Sequence, residues 1–194
     1  MNLLDPDIQK YVFKWEHKNT INSKFIPEVQ NEKEEKIGTV QVRGGWLQKK
    51  FCLCDINDTT LLHVRKYEVF TGESYDVMDY DDNLIGIVKE KFFSSRHIMT
   101  MKNSKGDEIL RFNEDGILTF IGRKFKINSI DGKNVAEYSI KQEWSKKGWL
   151  RYNYHNTSVL QIHDPNFDRK SILGMFICCV LRFYKMLEPH RGQD

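Results

Sequence analysis

Chemistry in this chain would have to come from its four cysteines, its six histidines or its paired acids. Cys52 and Cys54 are spaced to place both thiols on one face of a strand, because strand side chains alternate. Cys178 and Cys179 are adjacent inside an apolar run, where cysteine behaves as a small hydrophobe. Neither pair has the C-x2-C knuckle spacing of a four-thiolate zinc site, so free buried thiols are expected. His63, His97, His155 and His163 have no partner at metal-ligand spacing. Asp81-Asp82 falls at an expected turn, where acids are solvated rather than catalytic. The stretch 116–124, GILTFIGRK, has the wrong glycine spacing for a phosphate loop and no Ser or Thr after its Lys. Neither a Gly-x-Ser-x-Gly elbow nor a His-Glu-x-x-His pair is present. No enzymatic activity, no cofactor and no metal are expected.

One basic and aromatic constellation remains. Arg123, Lys124 and Lys126 open one expected strand. Lys146, Lys147 and Arg151 flank Trp149 around the turn at 145–148, with Lys141 and Trp144 just before it. A tryptophan beside lysines at a loop tip suits a lipid headgroup boundary, where the cations meet phosphates. The ligand-binding candidates are therefore Arg123, Lys124, Lys126, Lys146, Lys147, Arg151 and Trp149. The competing reading makes the tryptophans core residues and the lysines an ordinary solvated face. Charge favours the first region as the place for an anionic partner: residues 121–194 carry 13 Lys or Arg against 7 Asp or Glu, while the whole chain is only +3. That small total argues against a nucleic-acid partner.

The elements that must position these residues are mostly strands. Hydrophobic residues make up 40% and charged residues 29%, enough apolar content for a folded core. Asp5-Pro6, followed by apolar residues at Ile8, Tyr11, Val12 and Trp15, predicts an amphipathic N-terminal helix over 6–17. Residues 19–36 read as a polar linker. About twelve strands are expected after it, at 38–43, 47–54, 61–67, 74–80, 84–90, 97–103, 108–112, 117–121, 123–130, 134–142, 149–154 and 158–163. Turn residues recur between them near Asp55–Asp58, Asp82, Gly106, Gly132 and Asn156. An apolar helix over 168–187 follows, with Asp168 as its N-cap and Pro189 past its end. Its uninterrupted apolar run, 172–181, is half the roughly 20 residues that a membrane crossing needs. A helix that is apolar all round must be buried, and a closed barrel offers such burial to a single helix. The expected fold is thus mainly β, an antiparallel barrel of about twelve strands over 37–194 enclosing the C-terminal helix, with residues 1–36 as helix and linker.

The order of many hairpins with Asp, Asn or Gly tips, then an apolar helix, resembles the tubby C-terminal-like superfamily, which includes phospholipid scramblases and LURP-one-related proteins. The segments 75–88 and 97–112 resemble its strand–turn–strand units, and 162–188 is similar to the scramblase approach to the helix. The resemblance spans about 38–188 and implies the same barrel around a central helix. It also makes an anionic lipid headgroup or phosphorylated ligand relevant, since tubby domains bind phosphoinositides in a basic cavity. The scramblase proline-rich tail is absent. The stretch before the helix, Asp164, Asn166 and Asp168 beside Arg169 and Lys170, is too poor in oxygen donors for calcium. The expected protein is a monomeric binding module, cytoplasmic or peripheral on a membrane, without autonomous scrambling activity. The alternative is a protein–protein module using the N-terminal helix, with Tyr11 and Trp15 as anchors, or a sheet edge.

Overall fold

The computed structural model describes residues 3–16, 27–43, 50–69, 72–90, 98–114, 123–146 and 152–187. Twelve strands are present: β1 Lys10–Glu16, β2 Glu28–Gln30, β3 Lys36–Arg43, β4 Lys50–Asp55, β5 Thr60–Val69, β6 Gly72–Asp79, β7 Leu84–Glu90, β8 Ile98–Asn103, β9 Glu108–Glu114, β10 Arg123–Ser129, β11 Asn134–Lys146 and β12 Tyr152–Ile162. Each pairs antiparallel with its sequence neighbour, and β1 pairs with β12 to close the barrel. One helix, α1 Arg169–Leu187, follows. The closed mainly-β barrel and its C-terminal helix agree with the sequence.

Three details differ. Where the N-terminal helix is expected, the chain forms β1. Tyr11 and Phe13 alternate inward and are fully buried, while Lys14 points out. Of the residues on the helical stripe, Tyr11 and Trp15 also fit a period of two while Ile8 and Val12 do not, and a ladder partner on each side decides for strand: β1 lies between β12 and β2. Asp5-Pro6 forms a turn instead, with the Ile8 amide donating to the Asp5 carbonyl at 3.2 Å. The expected linker likewise contributes β2 and the start of β3. The expected turn at Asn156 is absent, because β12 runs straight through it, with Asn156 opposite Gln142 on one side and Trp15 on the other. Paired backbone on both flanks outweighs the local turn preference of Asn. The expected strand 117–121 lies outside the described residues.

The inward faces of the strands and α1 form one core. Ile172 through Val180 are all buried. The Phe176 ring lies 4.5 Å from Phe13 of β1 and 4.9 Å from Tyr138 of β11. Gly174 is seated against Val77 of β6, where a Cβ would overlap the valine methyl Cγ1. The helix also meets β5, β7 and β9. Its N-terminus is capped as expected: Asp168 Oδ2 accepts from the Ser171 amide at 3.0 Å and hydroxyl at 2.5 Å. Arg169 is buried and donates to the Ile8 and Pro6 carbonyls at 2.9 and 2.8 Å, tying the start of the helix to the segment before β1. None of the described helix is long and apolar enough to cross a membrane.

Candidate functional site

Alternation of strand direction gives the barrel two unlike ends. At one end stand five short hairpin tips of identical construction, starting at Asn31, Asp55, Asp79, Asn103 and Ser129. In each, the first residue's amide donates to the carbonyl four residues on, and its carbonyl accepts from the amide three residues on. In the first four, the Asn or Asp Oδ1 also accepts from the amides two and four residues on, at 2.8–3.0 Å. The fourth position of each tip has positive φ: Glu34, Asp58 and Asp82 at 63°, Gly106 at 90° and Gly132 at 85°. The connections at this end, 3–9, 31–35, 56–59, 80–83, 104–107, 130–133 and 163–168, hold twelve Asp or Glu against three Lys. Among the described residues, the three most exposed large apolar side chains, Ile56, Tyr80 and Ile130, occupy the second position of three tips.

The opposite end is where β1, β3, β5, β7, β9 and β11 finish and the next strands begin. Of the candidates from the sequence, Arg123, Lys124 and Lys126 of β10 and Lys146 of β11 lie toward it. Lys124 is exposed and Lys126 half-buried, flanking the buried Phe125. Lys126 stands in register with Glu137, so its cross-strand neighbour is a carboxylate. Arg123 opens β10 and Lys146 ends β11, but their side chains lie outside the described ones; Lys147, Trp149 and Arg151 lie outside the described residues. Arg123 pairs with Ile140, and β11 continues six residues further to Lys146. At about 3.3 Å per residue that separates the two groups by roughly 20 Å along β11. Among the described residues, Arg123 and Lys146 thus stand toward the same end of the barrel but well apart along β11.

Of the two expected protein-partner anchors, Tyr11 is corrected. Tyr11 is fully buried and donates its hydroxyl to the Leu3 carbonyl at 2.8 Å. The ring of strands is closed, so it offers no edge for a partner strand. The side chain of Trp15 is outside the described ones.

The sequence reading missed a cationic row on the outer wall. Arg43, Lys50 and Arg65 are direct cross-strand neighbours on β3, β4 and β5, followed by Asp76 on β6. Only strand register reveals it, since the residues are far apart in sequence. Beside it, Lys50 Nζ lies 3.3 Å and His63 Nε2 3.0 Å from Asp82 Oδ1. Lys50 holds the Asp82 carboxyl below its ordinary range, and burial holds the His63 imidazole below its own. A second polar group faces α1: Lys66 pairs with Glu73 at 2.7 Å, Glu73 accepts from the Tyr75 hydroxyl, and Arg182 of α1 pairs with Glu90 at 3.0 Å.

All four thiols are free and buried, and burial pushes each above the ordinary thiol range, the opposite of nucleophile activation. Among the described residues no three His, Cys, Asp or Glu side chains are placed to hold a metal ion.

These features define a closed twelve-stranded antiparallel barrel with one C-terminal helix. The model of the LURP-one-related family matches residues 10–180, and the chain belongs to that family. No curated protein and no solved structure matches it.

Proposed function

We propose that this LURP-one-related barrel is a non-enzymatic binding module that meets anionic lipid headgroups with its basic end. The observation that carries the reading is the charge split along the barrel. Against the acidic tips, the connections 17–27, 44–49, 70–71, 91–97, 115–122 and 147–151 join strands at the other end and hold seven Lys or Arg to one Asp. The same connections hold seven Phe or Trp. Cations attracted to phosphates, with aromatic rings at the headgroup level, are what an interfacial contact uses. The acidic tips would face away from such a surface by simple repulsion. Each cation near an anionic membrane contributes about 1 kcal/mol, so attachment is weak, reversible and salt-sensitive.

In this reading α1 fills the barrel lumen and stays there. Contacts to strands all round the ring support that placement, and the Arg182–Glu90 pair adds a polar tie near its C-terminal half. The barrel then binds lipid without inserting into it.

Co-sedimentation of the full chain with vesicles of phosphatidylcholine, with and without phosphatidylglycerol, tests the reading. Binding to the anionic vesicles at low salt that disappears at high salt is expected; no binding at low salt contradicts it. A protein partner is the second reading. The exposed Ile56, Tyr80 and Ile130 favour it, and in that reading the partner meets the acidic end.

A further inference from the structure

On the outer wall of β3–β6, one of the chain's own carboxylates sits in a nest of nitrogen donors. Three cations in adjoining register positions repel one another. Arg43 is engaged within its own neighbourhood, donating to Gln41 Oε1, Thr60 Oγ1 and the Asp58 carbonyl. Arg65 gives one Nη to the Tyr67 hydroxyl at 3.1 Å, while its Nε is buried and makes no hydrogen bond. His63 is buried on the same strand, with its Nε2 3.0 Å from Asp82 Oδ1. Lys50 reaches that same oxygen. Asp76 stands beside Arg65 in the row, Asp82 over Lys50, and Asp58 beside Arg43.

Asp82 holds φ at 63°, as Glu34 and Asp58 do in their tips, where the other two tips carry glycine. Its side chain remains 62% exposed, so it rests over the donors without being locked there. A carboxylate offers two oxygens and one charge. A phosphate monoester offers three oxygens and close to two charges, enough for the ammonium, the imidazole and the guanidinium together.

We infer that Lys50, His63 and Arg65 form a binding site for a phosphate monoester, and that Asp82 is its resident stand-in, displaced when the ligand binds. The site is on the barrel wall, apart from the basic end, so it stands or falls independently of the membrane reading. A phosphate monoester could be a soluble metabolite or the headgroup of a lipid such as phosphatidic acid.

Two-dimensional NMR titration of the full chain with glycerol 3-phosphate tests the site. Saturable shifts at β4 and β5 are expected. Asp82→Gly is expected to bind about tenfold tighter without loss of thermal stability, because glycine suits the turn and the competing carboxylate is gone. Lys50→Ala and Arg65→Ala, placed in the Asp82→Gly background and shown to be folded by their thermal transitions, are expected to weaken binding at least tenfold. Lys146→Glu/Lys147→Glu is expected to leave it unchanged. Vesicles carrying phosphatidic acid, compared with equally charged phosphatidylglycerol vesicles, separate the sources. Selective binding to phosphatidic acid that is lost in Lys50→Ala supports a lipid headgroup, and binding of glycerol 3-phosphate alone supports a soluble ligand. No saturable shift, no gain in Asp82→Gly, unchanged affinity in both alanine variants, or loss in the Lys146/Lys147 variant each overturns the proposal.

Discussion

Phe176 of α1 stands edge-on to Tyr138 of β11, with ring centroids 4.9 Å apart and planes at 87°. Tyr138 is itself stacked on Phe125, and Phe125 on Phe112. One helical ring thus ends an aromatic chain running through β9, β10 and β11. Phe176→Ala is expected to lower stability by about 3–5 kcal/mol, as for other buried aromatic truncations. Tyr138→Phe keeps the ring and loses only the 3.4 Å contact with the Ser158 hydroxyl, so about 1 kcal/mol or less is expected. Urea denaturation of the two variants side by side checks the ordering.

Gly174 is needed for space rather than backbone freedom. Alanine would ordinarily favour a helix over glycine by about 1 kcal/mol. Here its methyl would overlap Val77, and overpacking of this kind costs about 1–3 kcal/mol. Gly174→Ala is expected to destabilise, and adding Val77→Ala is expected to recover part of the loss. A double-mutant cycle with additive effects would remove the contact from the account.

The repeated tips make a directional prediction at their fourth position. Glu34 holds φ at 63° and Gly132 at 85°. Glu34→Gly relieves the strain of a side chain in the left-handed region, offset by the wider freedom of glycine in the unfolded chain. Gly132→Ala introduces the strain and is expected to cost about 1 kcal/mol. Thermal melts should therefore show Gly132→Ala the less stable of the pair.

Alkaline pH should weaken the fold through its buried tyrosines. Burial pushes the Tyr11 hydroxyl up to about 12, and burial also raises those of Tyr75 and Tyr138. An unfolded tyrosine loses its proton near 10. Between that pH and the folded value the unfolded state holds fewer protons, so stability falls as pH rises. Each such tyrosine contributes a slope of up to about 1.4 kcal/mol per pH unit. Tyr11→Phe should flatten the fall between about pH 10 and 12, read by denaturation at each pH; an unchanged slope would contradict the assignment.

The barrel and its helix are legible in the sequence for two physical reasons. Asp at 55 and 82 and Gly at 106 and 132 mark tips whose geometry such residues fill easily, and the run 172–181 is too apolar to face water yet too short for a bilayer. Tyr11 and Trp15 are ambiguous because their spacing satisfies both a helical and a strand period, and only the need to close the ring between β12 and β2 selects the strand. Asn156 shows the same override. Of the candidate site, the cations near residues 123 and 146 are legible as composition. The row of Arg43, Lys50 and Arg65 is not, because register across three strands creates it.

The central claim is that the basic end, and not net charge alone, meets an anionic surface. Two variants with the same change in net charge test it directly: Lys146→Glu/Lys147→Glu at the basic end, and Lys33→Glu/Lys105→Glu at the exposed acidic tips. Co-sedimentation with phosphatidylglycerol vesicles is measured for both across a salt series. The account predicts that the basic-end variant loses most vesicle binding and flattens the salt dependence, while the tip variant stays within about twofold of wild type. Equal losses in the two variants, or no loss in the first, would contradict it.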